Sequence, residues 1–418
     1  MNVSSELDRW LPPGTSELLT RIGVRAAELG YRACLVGGAV RDLLLGRAIL
    51  DLDVVVEGDA SAVARAAVMP GEPEPVVHAS FGTATIRSGV FHVDLASTRA
   101  ESYERPGALP AVRPGSLEQD LARRDFALNA MAVTLDGHSR GDLLDPYGGL
   151  RDLEHGLLRV LHENSFIDDA TRILRGVRYE QRFGFAFEER TLALLGRDIG
   201  YLSRISADRV RHEMERTLAE DEPEQALARM DSLGVLGAVH PALEFGRRKF
   251  WALARARKGR LSSAQLQTVS WCLLAWGVPT DELGSLVSRL NPTRQVRGAL
   301  VDTVRLSLLE TRLDNPALKP GEVYDLLHAC SQSALVAAEL LFSLPGARAN
   351  TTLYLRRLRH VRPLLTGRDL QALGVPEGPQ LGLILSALRT ARMNEEVSSR
   401  EDEAALALRL SAGAGQSR

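Results

Sequence analysis

Residues 35–53 read LVGGAVRDLLLGRAILDLD, and the reading of the fold turns on this stretch. The apolar run Tyr31 to Val36 predicts a short strand, Gly37-Gly38 a turn, and Ala39 to Leu45 a helix that starts directly after it. A strand-to-helix turn of this kind exposes backbone N–H groups, which suit an anion, and glycine at Gly38 lets the chain approach a triphosphate closely. Arg41, on the first turn of that helix, is within reach of a phosphate. Asp51 to Val56 (DLDVVV) alternates and then turns apolar, as a strand leaving a sheet does. Asp51 and Asp53 are two apart in it, so they share one face. A glycine pair alone reads as a plain turn, and a lone Asp-x-Asp as a polar strand end. Together they point to phosphoryl or nucleotidyl transfer. Two adjacent carboxylates repel each other, and a Mg²⁺ ion bridging them to a nucleotide's phosphates removes that repulsion.

Outward from this stretch, the N-terminal third mixes periods. Ser16 to Leu29 reads as an amphipathic helix ended by Gly30, and Ala60 to Val68 as another. Thr83 to Arg87 and Val90 to Leu95 read as a hairpin around Ser88-Gly89. The proline-punctuated Arg105 to Gly115 excludes regular structure, Leu117 to Val133 looks helical, and Asp145 to Gly149 is a turn. Beyond Arg151 strand signals fade. Helical periods run on to Leu410, broken at Glu220 to Pro223, Asn291-Pro292, Asp314 to Gly321 and Leu344 to Gly346, and Ser411 to Arg418 reads as a frayed tail. The fold class is therefore α+β, a mixed head followed by an all-helical remainder.

Composition sets the outer limits. The 418 residues suffice for several domains, and 45% hydrophobic with 25% charged residues is a globular balance. No apolar run approaches the roughly 20 residues of a membrane helix, no secretory segment is visible, and Cys34, Cys272 and Cys330 lie far apart. A reducing cytoplasm and no membrane partner are expected. Among 51 basic residues only Lys249, Lys258 and Lys319 are lysines. The stretch Gly246 to Arg260 (GRRKFWALARARKGR) holds no acid and interleaves Phe250 and Trp251. It reads either as a solvated helix face or as a surface that tracks phosphates through Arg247, Arg248 and Lys249.

The motif order carries a resemblance. GGAVRDLLLG followed by DLD resembles the first motif of the bacterial tRNA nucleotidyltransferase and poly(A) polymerase family, whose heads belong to the DNA polymerase beta-like superfamily. RRDFALNA (Arg123 to Ala130), DPYGGLRDL (Asp145 to Leu153), DDATRILRGVR (Asp168 to Arg178) and ISADRVRHE (Ile205 to Glu213) resemble its later motifs in order. The likeness is specific from roughly Tyr31 to Leu218. It implies a nucleotidyltransferase head with a small mixed sheet over 1–150, a helical neck over 151–240, and a helical body and tail that grip tRNA over 241–418.

The resemblance also assigns roles. Asp51 and Asp53 would be catalytic and hold Mg²⁺, with Asp94 a candidate third ligand. Gly38, Arg41 and Arg124 would contact the nucleotide, and Asn129 would orient the loop. In the family, the pair matching Asp169 and Arg172 is thought to read cytosine and adenine alike. Three apart on a helix, the two would share a face, with Arg175 and Arg178 continuing it toward phosphates. Otherwise Asp168 and Asp169 are ordinary helix-start acids paired with Arg172. Arg99 and the 105–114 loop fall where the family has a flexible segment linked to switching from CTP to ATP. Asp168 stands where the family often has glutamate. His155, His162 and His212 lack ligand spacing, and no His-Asp pair of an appended phosphohydrolase domain occurs. The implied activity is template-independent addition of CMP and AMP, from CTP and ATP, to the 3′ end of tRNA. The alternatives are an enzyme adding only CC or only A, a poly(A) polymerase, or a non-catalytic RNA-binding module.

Overall fold

The computed structural model describes residues 1–414 apart from 12, 13, 50, 89, 90, 103, 106 and 109. The chain condenses into two compact units, residues 1–221 with 232–239, and residues 222–231 with 240–418.

The first unit opens with two helices, α1 (Ser4–Trp10) and α2 (Thr15–Glu28). Its centre is a mixed sheet. In chain order the strands are β1 (Ala33–Val36), β2 (Leu52–Val56), β3 (Val76–His78), β4 (Thr83–Ser88) and β5 (Phe91–Ser97). A separate ribbon, β6 (Arg99–Ser102) with β7 (Ala111–Pro114), interrupts the series before β8 (Ala132–Thr134) and β9 (Leu143–Leu144) complete the sheet. The seven strands lie in the order β3-β4-β5-β2-β1-β8-β9. The β2–β5 pair is parallel and its register sets Asp53 beside Asp94. Every other pair in the sheet is antiparallel. Leu35, Val36, Val54, Val56, Val93 and Leu95 are buried, so the sheet is anchored by apolar residues on the strands that carry the acids. Helix α3 (Gly38–Leu44) follows β1 directly, and α4 (Ala60–Ala67), capped by the Asp59 carboxylate, packs on α2.

Several expectations need correction here. The helix predicted over Leu117 to Val133 ends early: α5 covers Leu117–Ala122, Ala127–Asn129 is a single 3₁₀ turn, and Ala132 to Thr134 enters the sheet beside β1. Asp125 accepts the Phe126 N–H at 2.9 Å, a local bond that competes with helix, and strand pairing overrides what helical period remains. The proline-rich loop is also partly regular. Ala111 to Pro114 pairs with Arg99 to Ser102, with Pro114 at the strand end, where a missing N–H is tolerated. Within the predicted hairpin, Gly89 and Val90 lie outside the described residues. Beyond Arg151 two short strands persist, β10 (Leu157–Leu158) and β11 (Ala186–Phe187), which pair in parallel.

The rest of the unit is helical: α6 (Gly149–His155), α7 (Ser165–Asp168), α8 (Thr171–Phe183), α9 (Glu189–Asp198) and α10 (Ala207–Leu218). Next along the chain come α11 (Pro223–Ser232), whose residues up to Asp231 belong to the second unit, and α12 (Val235–Val239) of the first.

In the second unit each predicted interruption marks a junction between helices. Leu290 and Arg294 flank one, Leu313 and Pro320 another, and Pro345 starts a helix at its first turn, where its missing N–H is harmless. The last helix runs through Ala414, farther than the expected tail boundary. The basic stretch forms α13 (Arg247–Arg257), and its spacing divides it. Lys249, Ala252, Leu253 and Ala256 make the buried face, while Arg247, Arg248, Trp251 and Arg255 are exposed. Lys249 is therefore not part of an RNA-facing surface. Its Nζ donates to the carbonyls of Glu244 and Leu274, both at 3.0 Å, and burial pushes its pKa down to about 8.

The folded state thus releases the Lys249 proton more readily than the unfolded chain, where lysine titrates near about 10.4. Between these values the unfolded chain binds more protons, so stability rises with pH. Measured against Lys249→Met by urea denaturation from pH 7 to 10.5, the wild type should gain up to about 3 kcal/mol across that window. A pH-independent difference would show that the ammonium keeps an ordinary pKa.

Candidate active site

A cleft of about 1400 Å³ opens in the first unit, bounded by the β1–α3 turn, β2, β4, β5, and helices α8 and α10. Asp51, Asp53, Asp94, Arg124, Asp169 and Arg172 all line it, as do Gly38, Arg41, Arg175 and Arg178. Every head and neck residue singled out in the sequence as catalytic or nucleotide-binding thus reaches one cleft.

The glycine turn works differently in detail. Gly37 takes the left-handed φ of 70°, and a Cβ there would lie 2.6 Å from Nη1 of Arg124. Gly37 is therefore the position that needs glycine, because the Arg124 guanidinium lies against its bare Cα. Gly38 begins α3 and has more room, its nearest foreign atom being Arg41 Nη2 at 3.4 Å. Arg41 is buried. It donates to both Asp42 carboxylate oxygens at 2.9 and 3.0 Å and to Asn129 Oδ1 at 2.7 Å, with Phe183 under its guanidinium at 4.6 Å. Asn129 in turn donates to Asp125 at 2.9 Å, so it orients Arg41.

The acids on and beside β2 and β5 have the opposite problem. Burial pushes the Asp53 carboxyl above the ordinary carboxylate range. Arg124 opposes the shift, while Asp94 and Asp51 add to it. Asp94 accepts from Thr85 Oγ1 at 2.5 Å. Among the described residues no group of three or more His, Cys, Asp or Glu is close enough to hold a metal as it stands. The three acids nevertheless fit a hard divalent cation: each offers carboxylate oxygens, and Asp53 is crowded by like charge for which a cation would compensate.

Asp169 departs from expectation. It is not on a helix with Arg172 but in extended backbone between α7 and α8, with φ −141° and ψ 94°. Its Oδ1 accepts from the Thr171 N–H at 3.0 Å and the Thr171 hydroxyl at 2.6 Å, so it caps the turn that starts α8 and breaks the helix. Its ionic partner is Arg209, at 2.7 Å, and not Arg172. Arg172 donates instead to the carbonyls of Ser165 and Arg123, at 3.3 and 2.6 Å.

Arg175 and Arg178 do continue the face of Arg172. Arg175 bridges Asp125 at 3.0 Å and Glu213 at 3.3 Å, and Arg178 lies 3.2 Å from Glu220. Arg124 is held by Asp120 at 3.0 Å. Sequence reading missed Arg209, Tyr179 and Arg182, which also line the cleft. Arg209 lies inside the ISADRVRHE motif, which was read for its helix start and not for its side chains.

Fold and cleft define a nucleotidyltransferase-like head joined to a helical segment that contributes side chains to the same cleft. Residues 33–159 match the family described as the poly A polymerase head domain, and residues 184–245 that described as the probable RNA and SrmB-binding site of polymerase A. The A-adding tRNA nucleotidyltransferase of Geobacter sulfurreducens is 35% identical over 97% of this chain and 48% of its own length, so the chain spans about half of that relative. The A-adding enzyme of Halalkalibacterium halodurans is 33% identical over 92% of this chain and 90% of its own. The CC-adding enzyme of Deinococcus radiodurans is 33% identical over 93% and 92%. A solved CCA-adding enzyme in an apo form superposes with a TM-score of 0.85 at 28% identity, over 98% of this chain and 99% of that one. CCA-adding enzymes solved with ATP and with CTP give 0.81 and 0.80, each at 27% identity over 98% of both chains. The chain belongs to the tRNA nucleotidyltransferase and poly(A) polymerase family of enzymes.

Gly37→Ala should both strain the backbone, because φ 70° with ψ −131° is a conformation almost confined to glycine, and displace Arg124. A urea midpoint and a titration with fluorescent ATP analogue should both show larger losses for Gly37→Ala than for Gly38→Ala. Equal losses would remove the special role given to Gly37.

Proposed function

We propose that the protein adds nucleotides, without a template, to the 3′ end of tRNA, taking CMP and AMP from CTP and ATP to build or repair the CCA terminus. The observation that carries this reading is the meeting of Asp51, Asp53, Arg124, Asp169 and Arg172 in a single cleft. A non-catalytic RNA-binding module would have no use for that convergence. The names of the relatives, all tRNA nucleotidyltransferases, favour tRNA over a poly(A) tail. A second reading, addition of A alone, is favoured by A-adding relatives at 35%, 33% and 32% identity.

In the reaction the terminal 3′ hydroxyl gives up its proton to solvent and its oxygen bonds to the α-phosphorus, while the bond from that phosphorus to the bridging oxygen breaks and pyrophosphate leaves with the electron pair. Asp51 and Asp53, with Asp94 beside Asp53, are the residues that would hold Mg²⁺, which supplies charge neutralisation at the phosphates. Arg124, braced by Asp120, carries positive charge toward Asp53 and is placed to meet the nucleotide. Arg175 and Arg178 present cationic edges for phosphates, and Asp169 with Arg172 reads the base. Among the described residues no helix is long and apolar enough to cross a membrane. A cytoplasmic enzyme is the reading that also suits three free, buried cysteines.

The deciding assay offers CTP alone, ATP alone or both to tRNA lacking its last one, two or three residues. Completion from every length supports CCA addition, AMP on tRNA-CC alone supports the A-adding reading, and no incorporation overturns both. Asp53→Asn should lower incorporation by orders of magnitude in the same assay while tRNA binding stays. Because the raised Asp53 carboxyl favours the folded state only while protonated, its stabilising contribution is lost as pH rises through the folded pKa. Removing the charge should therefore leave the melting temperature at pH 7 in EDTA unchanged or higher. A lower one would mean that Asp53 is a structural ion-pair partner.

The exposed face of α13, with Trp251 60% exposed between Arg247, Arg248 and Arg255, is proposed as part of the RNA grip. The Arg247→Ala, Arg248→Ala double variant should flatten the log–log salt dependence of tRNA affinity by about one unit per lost phosphate contact. Lys249→Met should leave that slope alone. An unchanged slope in the double variant would make this face merely solvated.

A further inference from the structure

Among the described residues, Arg47 is the one arginine of the cleft lining whose guanidinium holds neither an acid nor a carbonyl. Every other arginine there has a carboxylate within ion-pair distance or, in Arg172, two main-chain carbonyls. The Arg47 guanidinium lies over the Phe183 ring at 4.9 Å. The segment that carries it is nevertheless fixed. Gly46, just past α3, takes φ 62°, and a Cβ there would lie 3.2 Å from the Trp10 ring. The Arg47 N–H donates to the Asp42 carbonyl at 2.9 Å. Phe183 ends α8 and has the buried Arg41 against it at 4.6 Å. An exposed cation on a fixed backbone, seated on a ring and without an acid, is set to meet an anion from outside the protein.

Extending an RNA brings two polyanions into the cleft, a nucleoside triphosphate and the RNA 3′ end, and they enter differently. A mononucleotide can be enclosed whole. Cations that are themselves buried suit it, and Arg41, Arg172 and Arg178 are 5%, 4% and 6% exposed. The RNA end stays tethered to a far larger body outside, so the phosphates behind its reacting hydroxyl must lie where the cleft meets solvent. Arg47 lines the cleft, is exposed, and precedes Asp51 in the connection from α3 to β2. We propose that Arg47 binds the entering RNA strand, through a phosphodiester behind the attacking 3′ hydroxyl, and not the incoming triphosphate. A planar guanidinium can hold both non-bridging oxygens of such a phosphate while its face stays on Phe183. The inference rests on reading the cleft as the place where an RNA 3′ end is extended. It adds which cation receives that end.

The test deletes one charge on each side of the contact. Trimmed tRNA is made with an uncharged methylphosphonate at each of its last three linkages in turn, and single-nucleotide incorporation is measured with wild type and Arg47→Met. In Arg47→Met the KM for unmodified trimmed tRNA should rise about ten-fold, while the KM for CTP and for ATP stays near wild type. At one linkage the methylphosphonate should cost wild type a similar factor and cost Arg47→Met little more, because both deletions remove the same contact. Arg47→Lys should recover part of the loss, and melting temperatures near wild type separate the effect from misfolding. If Arg47→Met fails to fold, Arg47→Gln, which keeps a polar side chain without the charge, takes its place. A raised KM for the triphosphates with that for tRNA unchanged would overturn the inference, as would losses that multiply independently at all three linkages. No incorporation by wild type would overturn the reading of the cleft, and the inference with it.

Discussion

Arg175 lies between two acids, Asp125 at 3.0 Å and Glu213 at 3.3 Å, and the rest of the cleft wall takes its position from that bridge. Asp125 belongs to the segment that links α5 to β8, Arg175 to α8 and Glu213 to α10, so one guanidinium joins three separate stretches of chain. Burial works to raise Asp125, but the Arg175 charge, with the Asn129 hydrogen bond, outweighs it and holds the carboxyl below the ordinary range. Burial likewise works against the Arg175 cation, and the two acids overcome it. Removing one partner of such a buried pair costs about 3–5 kcal/mol, chiefly by stranding the other charge. The same acids branch outward. Asp125 accepts from Asn129, which holds Arg41, and Glu213 also lies 3.7 Å from Arg178. A single electrostatic frame thus holds Arg41, Asn129, Arg175 and Arg178 together on one wall of the cleft.

Such a frame explains how Arg41, Arg172 and Arg178 can be buried as cations. Each of these three in the cleft wall is matched by a carboxylate or a carbonyl, and rings supply further faces: Phe183 lies under Arg41 at 4.6 Å and under the exposed Arg47 at 4.9 Å. The planar, always charged guanidinium suits this use, because it can hold a structural acid with one edge and leave the other for a ligand. Lysine appears in the opposite role. Lys249, on the buried face of α13, spends its ammonium on two main-chain carbonyls and offers none of it at the surface.

Much of this was legible in the sequence, and the boundary is physical. Local signals survived folding: the strand, glycine turn and helix at 33–44, the Asp53 strand, and the helix breaks at Asn291-Pro292 and Leu344-Pro345 all lie where residue chemistry puts them. What failed depended on partners distant in the chain. Ala132 to Thr134 has helical period but becomes a strand because β1 has an edge to pair, and Ala111 to Pro114 becomes a strand because Arg99 to Ser102 lies opposite. Within the site, residue types and spacing found the cleft's acids and arginines. They did not find who pairs with whom. Asp169 and Arg172, three apart, looked like partners on a helix. The actual partner of Asp169 is Arg209, forty residues on, and no local period carries that information. Lys249 failed for a related reason: a basic run looks uniform in sequence, while a helix turns every third or fourth residue inward.

Two environments can be told apart among the cleft's carboxylates, and the difference supports the separate uses proposed for them. Asp125 and Asp169 are matched by guanidinium groups, and the proton is held off Asp125 by that match. Asp53 is left facing Asp94 and Asp51, with Arg124 too weak an offset to keep its pKa down. Environments that push acids of one site in opposite directions mark a division of roles. A compensated carboxylate is a fixed hydrogen-bond acceptor with a defined direction, which is what reading a base edge requires. An uncompensated cluster has a deficit of positive charge that the protein does not fill, which is what a phosphate-bridging cation requires. Had Arg124 been free to approach Asp53, it would have supplied that charge itself. Asp120 at 3.0 Å holds it back, and the bare Cα of Gly37 gives it somewhere to lie. The need for glycine at 37 and the unmet charge at Asp53 are therefore two consequences of where one arginine is held.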